Sequence, residues 1–308
     1  MAQLYLDILE TKICASDLRD ALRSLPGKLD DDYTEAWNRI NTQGTDSSTL
    51  AIKALRWLVF SFRHLTVDEL SHALAVRAGQ NSLDKERLVS MNIILGTCQG
   101  LVKFDKASPV VRLVHYTTQQ YFNDNRARHF PDAHEVITAT RLTYLRFQEF
   151  AEGPCDFYSS DPCYFYGQKG SIKKSRLLST RCAVNPFLTY ASSHWGNHAR
   201  ESSKGANEEA IQAFLDTPEA LSSCAQANVD FCYNLEKGNE ITGALNMLVQ
   251  FGLHDILERR LNGRSLDDLD IDGLNRQVLL FNAARLDNPE IVDLLLKVGA
   301  TMSLGEAI

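Results

Sequence analysis

The chain has 308 residues, 44% hydrophobic and 23% charged, with a formal charge of −7. That is globular composition, long enough for two or three domains and too acidic for a general polyanion binder. The seven cysteines (Cys14, Cys98, Cys155, Cys163, Cys182, Cys224 and Cys232) are odd in number and widely spaced, with no C-x-x-C pair. They argue against a secreted disulfide framework and for reduced thiols in a cytosolic or nuclear protein, here taken as cytoplasmic. Met1 to Asp7 reaches an acid before an apolar core can form, unlike a signal peptide. The most apolar short stretch, Leu55 to Phe62, is far below the roughly 20 residues of a membrane span, so no membrane partner is expected.

In chain order, residues 1–25 read as two helices. Leu6, Leu9 and Ile13 share a face, Ser16 caps Leu18 to Leu25, and Pro26-Gly27 stops the second. Asp30-Asp31-Asp32 opens a third helix, its acids suited to the positive end of the dipole, with Tyr33, Trp37 and Ile40 as its apolar stripe. Asn41 to Ser48 is a polar linker.

A new unit is predicted over 46–130. Leu50 to Phe60 is helical. Thr66 caps Val67 to Val76, with Glu69 at the third position of a capping box. Asp84 is expected to cap a helix from Lys85 to Cys98, ended by Gly100. Two β-like runs, Leu101–Phe104 and Val110–Val114, flank the turn cluster Asp105–Pro109, and Tyr116 to Phe122 closes the unit. Three helices and a hairpin is the order of a winged helix. Trp57, Leu70, Leu74, Ile94, Leu101, Leu113 and Phe122 should be buried together.

Residues 131–235 read as a helical linker, with helices over 131–151, from Pro186 to Arg200 and from Glu208 to Leu215, and an irregular insertion at 153–180. Residues 236–308 carry the clearest repeat. Leu280-Phe281-Asn282-Ala283-Ala284 followed by Ile291 to Ala300 resembles an ankyrin repeat, with a weaker copy from Leu245 to Gly263. Phe281 stands where that family has His, and Asp287 where it has the inter-helix Gly. Ala283, Ala284, Ile291, Leu294, Leu295 and Leu296 should bury against the preceding helix pair and leave 264–277 as an exposed loop. The expected fold class is thus mainly α: a winged-helix module with a small hairpin, a helical linker and ankyrin-like helical repeats.

Several blocks, in order over residues 3–215, resemble the region that follows the nucleotide-binding domain of fungal NACHT–ankyrin proteins, among the signal-transduction ATPases with numerous domains. They are Ala21-Leu22 through Leu25-Pro26 and Leu29-Asp30, Leu70 to Val76, Val111 to Phe122, Leu142 to Leu145, Trp195-Gly196 and His198-Ala199-Arg200. The winged helix of such proteins often carries the label GPI inositol-deacylase winged helix domain, a shared module that implies no lipase chemistry. No Gly-x-x-x-x-Gly-Lys-Ser/Thr run is present. By this resemblance 1–45 is the helical tail of a missing NACHT domain, and the chain looks truncated just before its ATPase ends.

The resemblance implies one functional residue. In related ATPases the winged helix supplies a histidine between its last strand and last helix that touches the β-phosphate of bound ADP. His115 occupies the matching place, and imidazole has the donor that this needs. The bland alternative is a structural histidine bonded to backbone. His194 and His198, four apart, could share a metal, but Trp195 stands where a metalloprotease has Glu, and packing accounts for them better. No Gly-x-Ser-x-Gly elbow and no cysteine motif occurs, so no catalytic residue, metal or cofactor is assigned. The reading is a non-catalytic regulatory fragment, the winged helix clamping a NACHT domain and the repeats holding a protein partner. The alternative is a stand-alone winged-helix DNA binder. Residues 46–130 hold eleven Lys and Arg against seven Asp and Glu, a net +4. The presumed recognition helix, however, mixes Asp84 and Glu86 with Lys85 and Arg87 and was expected to bury Leu88, Ile93, Ile94 and Leu95, so no nucleic-acid partner is expected.

Overall fold

A computed structural model describes residues 30–105, 108–155, 176–228 and 240–301. The expectations for residues 1–25, for most of the irregular insertion at 153–180 and for residues 229–239 lie outside the described residues; the end of that insertion, 176–180, is helical instead, as the start of Arg176–Val184. The fold is mainly helical with one small antiparallel hairpin. It divides into two compact units, the first holding residues 30–75 and 85–133, the second 76–84 and the residues from His134 onward.

In the first unit residues 30–42 are helical (α1). Tyr33, Ala36 and Ile40 are buried at helical spacing. Trp37 rests edge-on against Phe122 and Phe130, at 5.6 and 5.5 Å between ring centroids. This helix, assigned from sequence to a preceding segment, packs within the same unit as the residues after it. Next come α2 (Thr45–Phe60), α3 (Val67–Ala75), α4 (Met91–Thr97), β1 (Val102–Asp105), β2 (Ser108–Leu113), α5 (Tyr116–Asp124) and the short α6 (Arg126–His129). The capping box forms: the Glu69 carboxylate accepts from Thr66 N–H at 2.8 Å, and Thr66 Oγ1 accepts from Glu69 N–H at 3.2 Å. β1 pairs with β2 through Val102↔Leu113, Lys103↔Arg112 and Phe104↔Val111. Thr66 adds a bridge to Val110, and Val111 N–H donates to Leu65 O, so the segment before α3 lies along the hairpin as the third edge of a winged-helix sheet.

The expected core holds for Trp57, Leu70, Leu74, Ile94, Leu101 and Phe122; Leu113 is only half-buried, and Val111 fills the inner position of its strand. The helix expected from Lys85 to Cys98 is shorter. Lys85–Arg87 is a single 3₁₀ turn, and the α-helix begins after Ser90. Ser71 Oγ donates to Val89 O and holds the break open. A helix this short buries only Met91, Ile94 and Thr97, with Cys98 buried just past its end. Leu88 and Ile93, expected in the core, are therefore 38% and 54% exposed.

The second unit is built from α7 (Ala133–Leu145), α8 (Gln148–Ala151), α9 (Arg176–Val184), α10 (Phe187–Glu201), α11 (Glu208–Leu215), α12 (Pro218–Ala227), α13 (Glu240–Phe251), α14 (His254–Leu261), α15 (Gly273–Arg285) and α16 (Pro289–Lys297). Trp195 is fully buried between Phe214 and Phe251. Gly196 beside it explains the Trp-Gly pair: a Cβ there would overlap the Phe251 ring. The last four helices form two consecutive pairs, α13 with α14 and α15 with α16, stacked with α13 on α15 and α14 on α16. Gly252 (φ 69°) turns the first pair and Asp287 (φ 52°) the second, so Asp287 occupies a left-handed turn that favours glycine. Ala283, Ile291 and Leu295 are buried as expected. Ala284 and Leu296 are exposed instead, and Leu294 is half-buried, because α15 and α16 are covered on one side only among the described residues. The segment 264–277 is not an open loop. Leu266, Leu269 and Ile271 are buried, Leu266 N–H donates to Val298 O, and α15 starts at Gly273.

Candidate functional site

His115 stands where β2 hands over to α5, as the N-cap residue of that helix. Its Nδ1 accepts the Thr117 N–H at 3.3 Å and lies 2.8 Å from Thr117 Oγ1. Accepting a backbone N–H requires an unprotonated Nδ1, so in the neutral ring the proton sits on Nε2. The hydroxyls behind it form a consistent chain. Thr118 donates to Tyr33 Oη (3.2 Å), Tyr33 Oη lies 2.7 Å from Thr117 Oγ1, and Thr117 in turn faces the imidazole. Thr118 is fully buried and Tyr33 is 1% exposed, so the chain is anchored in the core. His115 itself is exposed. Tyr116, 73% exposed, leans on it at 4.5 Å between ring centroids. The arrangement offers an outward N–H donor, held by a helix cap, next to an uncovered aromatic ring. Backbone capping, the bland expectation for this histidine, and an outward donor are thus both present in one side chain.

Of the other candidate histidines, His198 is buried and His194 is half-buried. His198 Nδ1 lies 2.8 Å from His134 Nδ1, while His194 lies against Tyr190. Burial, reinforced by Arg141, His134 and His194, holds the His198 pKa far below its usual value, so the ring is neutral. The Arg141 guanidinium, fully buried, lies 4.1 Å from the Tyr190 ring centroid. His134, Thr138 and Arg141 make one polar stripe on α7, spaced 4 and 3 residues apart. Sequence spacing within α10 did not reveal this pairing, since His134 lies 64 positions from His198. Among the described residues no three His, Cys, Asp or Glu side chains gather as a metal site. Burial pushes the Cys98 and Cys224 thiols up to about 12, which removes the thiolate a nucleophile needs.

The face of α4 that a DNA-reading winged helix would insert carries Asn92, Ile93 and Gly96, and the helix Met91–Thr97 contains no Lys or Arg. The unit's exposed cations include Lys103 and Arg112, opposite each other on the hairpin.

Residues 39–131 match the family described as GPI inositol-deacylase, winged helix domain. Neither a curated protein nor a solved structure matches the chain. Among the described residues no helix is long and apolar enough to cross a membrane. The matched segment runs from the last turn of α1 through α6.

Proposed function

We propose that the chain is a non-catalytic regulatory and interaction fragment of a NACHT-type signalling ATPase, acting in the cytoplasm. The winged helix clamps a nucleotide domain, and the stacked helix pairs, read as divergent ankyrin repeats, hold a protein partner. The observation that carries this reading is His115: an exposed Nε2–H, oriented from behind by Thr117, Tyr33 and Thr118, suits donation to a phosphate oxygen of ADP held by a facing domain. Asp287 at the left-handed inter-helix turn, with Gly252 at the same turn of the preceding pair, supports the repeat reading. An α4 without cations favours a protein surface over duplex DNA, whose phosphates call for Lys and Arg. The test supplies a NACHT domain in the same chain and measures ADP retention. His115→Ala should weaken it by about 1.5–3 kcal/mol, the range for a hydrogen bond to a charged group. Unchanged retention would overturn the assignment of His115.

A further inference from the structure

The second unit holds an open cleft of about 420 Å³ lined by Gln212, Asp216, Leu245, Arg259, Arg260, Asn262, Arg264 and Leu269. Its size is in the range of small-ligand sites. Three arginines line it against one lining carboxylate, Asp216. Arg260 is fixed by Gln212 Oε1 and Asp216 Oδ1, both at 2.8 Å. Arg259 Nε reaches Glu208 at 2.7 Å, from outside the lining. Arg264 leans on the C-terminal carbonyls of α14, with Nε 3.4 Å from Leu261 O and Nη2 3.1 Å from Arg260 O. Cations at a helix C-terminus answer the dipole, and that accounts for one or two arginines. It does not account for three around a cleft whose floor is the buried, apolar Leu245 and Leu269. A guanidinium carries five N–H donors, and these contacts use only one or two on each. The forks are also oriented before any ligand arrives, which lowers the ordering cost of binding.

We propose that this cleft binds a small organic phosphate, its phosphate on the arginine forks and its carbon skeleton on Leu245 and Leu269. Paired guanidinium forks suit a tetrahedral dianion, and the volume leaves room beyond the phosphate itself. The site is separate from His115 and does not depend on the reading given above.

The test titrates the full chain calorimetrically with phenyl phosphate, inorganic phosphate and malonate. Phenyl phosphate should bind saturably, one per chain, and more tightly than either other anion. Arg264→Gln and Arg259→Gln, both at exposed positions, should each weaken it about tenfold. Hydrogen exchange on the unsubstituted chain should show slowing by phenyl phosphate around residues 259–264, which keeps the test independent of how any variant folds. Absence of saturable binding at millimolar concentrations, malonate binding best, binding indifferent to both substitutions, or protection confined elsewhere would each overturn the proposal.

Discussion

The two units fix their helices by different means. In the first, the entry to α3 is decided within seven residues: Thr66 and Glu69 cap each other, and Arg63 forks onto the same Glu69 carboxylate at 2.9 and 2.6 Å. In the second, the decisive contacts join distant positions. His134 meets His198, Arg141 meets Tyr190, and Phe251 fills the notch that Gly196 leaves open. A local cap is nearly indifferent to the rest of the core, whereas an interlocking polar and aromatic core is sensitive to volume and to protonation anywhere along it. The comparison also separates roles. The first unit carries His115 and Tyr116 exposed on its surface, while in the second His134 and His198 are buried against each other.

The contrast can be broken most forcefully at Gly196. Gly196→Ala should cost about 1–3 kcal/mol by forcing Phe251 out of place, measured by urea unfolding. Adding Phe251→Ala should cost less in that background than in the unsubstituted chain, because the clash is then already relieved. Simple additivity would remove the interlock from the account.

Protonation sharpens it next. The His198 pKa is lowered in the folded state by burial, so the unfolded chain binds the extra proton. Its contribution is therefore present above about pH 6.5 and lost as pH falls below it, at about 1.4 kcal/mol per pH unit until the ring is forced to charge. His72 and His129 in the first unit, also lowered mainly by burial, act in the same direction. Melting His198→Asn beside the parent chain between pH 7 and 5.5 isolates the share of His198. An equal acid loss in both would assign the effect elsewhere.

The smallest effect expected is at the cap. Thr66→Ala should cost about 1 kcal/mol at any pH between 6 and 8, since no titrating imidazole takes part in it.

How much of this was legible follows the same division. The capping box, the two hairpin strands and α5 are readable because each signal lies within a few residues. The limits of α4 are not legible: the polar run from Asp84 imitates a helix start, and the break after Arg87 rests on Ser71, far back in sequence. α12 carries a local start signal of its own in Thr217-Pro218-Glu219. His115 was found through its position between strand and helix, but the hydroxyl chain behind it spans Tyr33 to Thr118 and has no sequence signature. The histidine pair and the arginine cleft were not legible, since each depends on helices far apart in the chain.

The central claim is that His115 reads the nucleotide state of a facing domain. Affinity for that domain is coupled to nucleotide by linkage, so a clamp on ADP must bind the ADP-loaded domain more tightly than the ATP-loaded one, by the same factor by which it raises that domain's affinity for ADP over ATP. The direct measurement titrates the chain, and its His115→Ala variant, into a purified NACHT domain loaded with each nucleotide. Tighter binding of the ADP form, with the preference reduced at least tenfold by the substitution, is the predicted result. Equal affinity for the two forms, or a preference that survives His115→Ala, would contradict it.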